Sequence, residues 1–147
     1  MKKQPLTSFY LEALLLVVIF VAMILVLTGV FGAARAQSVQ ARRLTQAVTL
    51  AANAAEAATA SDSPEQAAAL LDEGGNVRLE GGVLSADYRA DGSPCADGEP
   101  ALTVTVSWED NGGEGSLVTN RIAVFAPGEE ESVYAIETAH SRKGAAA

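Results

Sequence analysis

Ala13–Ala34, ALLLVVIFVAMILVLTGVFGAA, is an apolar run of 22 residues that no Asp, Glu, Lys, Arg or His interrupts, and the lone acid Glu12 stands directly before it. A bilayer core of about 30 Å needs about 20 apolar residues in a helix, so the run is long enough to span. Another reading treats Lys2 and Lys3 as the basic start of a secretory signal. Ala34-Arg35-Ala36 would then be a small-x-small cleavage site that frees a secreted domain beginning at Gln37. The run outlasts the apolar core of such signals, about 7–15 residues, and Glu12 breaks its approach, so the anchor reading leads. Flanking charge orients it weakly: Lys2 and Lys3 lie on one side, Arg35, Arg42 and Arg43 on the other. The acidic region that follows suits an extracytoplasmic placement.

Past Ala34 the chain continues RAQSVQARRLTQAVTLAANAAEAATA with no proline and with no glycine after Gly32. Alanine is the best helix former, and Gln, Arg and Leu follow closely. Val39, Leu44, Val48 and Leu50, with Ala41, Ala47, Ala51, Ala55 and Ala58, gather at helical spacing, while Arg42, Arg43, Gln46, Asn53 and Glu56 fall largely elsewhere. One helix from about Ser8 to about Ala60 is therefore expected, apolar all round in its first half and on one face in its second. At 1.5 Å per residue it would be about 80 Å long.

Ser61-Asp62-Ser63-Pro64-Glu65-Gln66 reads as a stop and a new start. Ser63 can cap, Pro64 fits the first helical position, and Gln66 stands where a capping box needs it. A short helix, Pro64 to Asp72, should end at Gly74-Gly75. The period then changes to two. Val77–Glu80 and Val83–Arg89 flank Gly81-Gly82 as a hairpin, and Ala101–Glu109 alternates Leu102, Val104, Val106 and Trp108 with Thr103, Thr105 and Ser107. Asp110–Gly113 is a turn, Ser116–Ala126 a strand, and Pro127–Glu131 another turn. Ser132–Ala139 is the last strand, and the end of the chain is a tail. Such strands carry one apolar face, and the Ala-rich stripe of the helix is its available partner. The class is α+β, with an antiparallel sheet.

Of 147 residues, those up to Ala36 sum to a charge of +2 and those from Gln37 to −10. An acidic domain repels phosphates, so nucleic acid is not an expected partner. Cys95 is the sole cysteine, in the turn-rich stretch DGSPCADGEP, and reads as a free loop thiol. His140 is the sole histidine, so no His/Cys zinc set can be completed. Glu129-Glu130-Glu131 lacks the spaced ligands of a calcium loop and reads as a solvated turn. Trp108 reads as a core or sheet-surface anchor. No nucleophile–base pair, phosphate loop or cofactor motif stands out, so neither enzymatic activity nor a cofactor is expected.

Thr7-Ser8-Phe9-Tyr10-Leu11-Glu12-Ala13-Leu14-Leu15 resembles the prepilin segment of type IV pilin-like proteins. In that family a basic leader ends at a glycine, and the mature chain opens with a short apolar stretch, a glutamate at its fifth position and an apolar helix. The alignment makes Ser8 the first mature residue and puts Glu12 at the glutamate. It implies cleavage between Thr7 and Ser8 by a prepilin peptidase, and pairing of Glu12 with the N-terminal amine of a neighbouring subunit during assembly. It also implies a long helix packed under an antiparallel sheet. Thr7 stands where the family carries glycine, Ser8 where it usually carries Phe, and the paired cysteines of many pilins are missing. Read independently, Glu12 is a helix-start acid favoured by the macrodipole, with Thr7 or Ser8 as cap.

The expected organisation is a basic leader (1–7), a transmembrane and assembly helix (8–36), its amphipathic continuation (37–60), a small extracytoplasmic α+β domain (61–140) and a tail (141–147). The leading function is a pilin-like structural subunit, major or minor, of a type IV pilus or related secretion pseudopilus. Its partners would be the lipid bilayer and other pilin-like subunits, and its place the cell membrane or a surface filament. The alternative is a single-pass anchor whose extracytoplasmic domain binds a partner without polymerising.

Overall fold

The computed structural model describes residues 5–110 and 117–141. Lys2 and Lys3 of the leader, the turn at 111–113, the expected strand start at Ser116 and the tail beyond Ser141 lie outside them. Two helices, α1 (Pro5–Ala60) and α2 (Pro64–Leu71), precede five strands: β1 (Val77–Glu80), β2 (Val83–Tyr88), β3 (Leu102–Asp110), β4 (Leu117–Phe125) and β5 (Ser132–Ser141). The chain forms two compact units, Met1–Ala41 and Arg42–Ala147.

In the first unit the helix exposes its large apolar side chains, Phe9, Leu15, Ile19, Phe20, Ile24 and Phe31 among them. α1 is long and apolar enough to cross a membrane, and none of its most apolar stretch is buried. Thr28, the one polar residue in the run, donates its hydroxyl to the Ile24 carbonyl at 2.8 Å, which satisfies it without a partner from outside the helix. That bond is the usual way such residues are accommodated in apolar surroundings.

The second unit is an antiparallel meander, in the order β1-β2-β3-β4-β5, with helical residues on one face. Strict alternation decides that face. Leu102, Val104 and Val106 on β3 and Ile122 and Val124 on β4 are buried, and Val104↔Val124 and Val106↔Ile122 pair across the two strands. Ala47, Leu50, Ala51, Ala54, Ala55, Ala57 and Ala58 of α1, with Ala67 and Leu71 of α2, complete the same core. The residues of this stripe recur at three and four positions, the helical period. It differs from expectation in composition. Leu44 is 46% and Val48 39% exposed, because both sit on the flank of the stripe, and Val39 belongs to the other unit. The buried stripe is alanine with one leucine, and it shares one core with the Leu, Val and Ile side chains of the sheet.

The connections follow local chemistry. Ser61 ends α1 by donating its hydroxyl to the Ala57 carbonyl at 2.7 Å. Ser63 caps α2, accepting the Gln66 amide at 3.3 Å, and Pro64 takes the first turn. The return half of the capping box is displaced: Gln66 Oε1 accepts the amide of Asp62, one residue before the cap, at 3.0 Å. Gly81 (φ 59°) and Gly82 (φ 81°) both occupy the left-handed region, as a two-residue hairpin turn between right-twisted strands requires. The Glu129 amide closes the Pro127-Gly128 turn on the Ala126 carbonyl at 3.1 Å. Glu129 also meets Arg43 at 3.2 Å, so this acid is paired across the unit rather than merely solvated. With both side chains well exposed, such a pair contributes about 0.2–1 kcal/mol at most.

Candidate assembly site

Thr7, Ser8 and Glu12 all lie within α1 and are exposed. Because the helix begins at Pro5, neither Thr7 nor Ser8 is its cap, and no acid occupies its first turn. Pro5 supplies the reason. A proline in the first turn gives up an amide that has no intrahelical partner there, and its fixed φ suits a helix start. Glu12 is thus two turns inside the helix of the intact chain, beyond the reach of the N-terminal macrodipole, which fades within the first turn. The helix-start reading of Glu12 applies only to a chain that begins near Ser8. Ser8 and Glu12, four residues apart, share one helix face, which continues over Leu15, Leu16 and Ile19. Phe9 and Tyr10 meet edge to face at a centroid distance of 6.2 Å.

The chemistry this arrangement offers is limited and specific. A carboxylate stands on an apolar helix surface, at the border where the charge-free run begins. An ionisable group in that position is costly in hydrocarbon unless it reaches the interface or meets a cation. A cation brought by a second chain would satisfy it. Downstream, Gly29 and Gly32 have open space where a Cβ would stand, so no side chain of this chain packs over them.

Other residues singled out by the sequence lie in the second unit. Cys95 is a free thiol in a loop, as expected, and it is buried. Its amide donates to the Asp87 carbonyl at 2.9 Å, and Tyr88 bridges to Pro94, so the loop folds back on the end of β2. Trp108 is half-buried against the core, and His140 lies in β5 with Nδ1 3.3 Å from Asn120 Nδ2. Among the described residues no group of three or more His, Cys, Asp or Glu could hold a metal ion.

Two groups had no sequence signal. Asp87 is buried on the outer face, ion-paired with Arg78 and accepting the Thr103 hydroxyl at 2.8 Å. Only strand register brings these three together, through the Ser85↔Arg78 and Asp87↔Thr103 pairings. Asn76, also buried, accepts the Glu73 amide at 3.0 Å and donates to the Asp87 carbonyl at 3.3 Å. Burial raises the Tyr88 hydroxyl above its usual range, against a hydrogen bond with Asn76 and in concert with the nearby Glu73 carboxylate. At the exposed Asp91, donation first from the Ser93 hydroxyl and then from its amide holds the carboxyl below its usual range. These groups hold a loop and a sheet edge together. No family model, curated protein or solved structure matches this chain.

Proposed function

We propose that this chain is a pilin-like structural subunit that assembles through the apolar half of α1. The observation that carries the reading is Glu12 set directly before 22 uncharged apolar residues, on a helix whose later turns lie under an antiparallel sheet. In the bilayer this surface faces lipid. On leaving it, the same surface must be covered, and the apolar helices of other copies supply an equivalent cover. Glu12 then registers each arriving subunit: its carboxylate pairs with the N-terminal amine of a neighbour, and a misplaced subunit leaves that charge unpaired in an apolar bundle. Processing between Thr7 and Ser8 would provide the amine at the right depth. It requires the first turns of the helix to open, which helix ends do readily. The small domain, with its acidic surface, would face outward.

The alternative reading, a single-pass anchor whose extracytoplasmic domain binds a partner without polymerising, is favoured by one residue. Thr7 is bulkier than the glycine a prepilin peptidase accepts. The N-terminal sequence and intact mass of the protein recovered from native membranes decide between them. A start at Ser8 supports the assembling subunit. A start at Met1 or Lys2 excludes processing and leaves the anchor, and a start at Gln37 makes the protein a released domain. If Ser8 is the start, Glu12→Gln should abolish filament incorporation while the protein still reaches the membrane.

A further inference from the structure

We draw no further inference here: the strongest candidate, the open edge of the sheet along β5, where Tyr134 and Ile136 are only half-buried and β4 is the one paired strand among the described residues, carries nothing because nothing in the structure shows what covers it.

Discussion

Two stretches of one helix obey opposite rules. Up to Ala41, α1 is built from Leu, Val, Ile and Phe, and these side chains are exposed. From Arg42 its large apolar residues are few, and what is buried is alanine with one leucine, Leu50, and Ala47, Ala51 and Ala58 are at 0% exposure. A soluble protein arranges large and small residues the other way round. The inversion shows that size on this helix follows what covers it. The bulky side chains are left uncovered by the chain itself, and a fluid apolar medium such as a bilayer would accommodate them whatever their shape. Small ones share a core with a sheet whose Leu, Val and Ile side chains already fill much of the space.

The sharpest way to break the comparison is a charge in the first stretch. Phe20→Arg should cost about 2.5–3.5 kcal/mol in membrane insertion, seen as a shift of the chain from the membrane to the soluble fraction. It should leave the thermal unfolding of the second unit unchanged, and a lowered melting point there would show that the two stretches are not separately governed. Next in size is Ala51→Leu. Added volume at a fully buried position should destabilise the second unit by about 1–3 kcal/mol in urea unfolding, whereas the same alanine-to-leucine exchange at Ala22 should not change its midpoint. Leu44→Ala on the exposed flank of the stripe should fall within about 0.5 kcal/mol. A loss of several kcal/mol there would mean that Leu44 belongs to the core after all.

The smallest effect is invisible at neutral pH. The Tyr88 hydroxyl titrates higher in the folded chain than in the unfolded one, so between those two values the native state holds the extra proton. The stability it contributes is complete below the unfolded value, near pH 10, and is lost as pH rises through the raised folded one. Tyr88→Phe should flatten that alkaline decline in unfolding measured from pH 9 to 12, and an unaltered decline would assign it to other groups.

What was legible from the residues was whatever chemistry is local. The unbroken helix to Ala60, the Ser63-Pro64 start of α2 and all five strands follow from period, propensity and turn chemistry, with boundaries moved by one to three residues. The alternation of Leu102 to Trp108 identified the buried face because a strand has only two. The helix, expected from about Ser8, is already formed at Pro5, the first described residue. Glu12 stands out by composition alone, because a single acid beside a long uncharged run is visible without coordinates, whereas Thr7 and Ser8 were singled out only by the resemblance to prepilin segments.

The remainder depended on register and packing. A helix stripe can be read to within one flank but not to the side chain, so Leu44 and Val48 joined the expected core until the sheet's position left them at its margin. Asp87 met Arg78 and Thr103, and Asn120 met His140, only because strands distant in sequence align in one register. Thus the sequence by itself determined the elements, their order and the long apolar helix, since these depend on contacts within a few residues. Only the tertiary structure decided that Cys95 is buried, that Glu129 is paired and that Asn120 Oδ1 and Thr138 Oγ1 are buried without a hydrogen-bond partner. Those depend on which surfaces meet, and no local pattern encodes that.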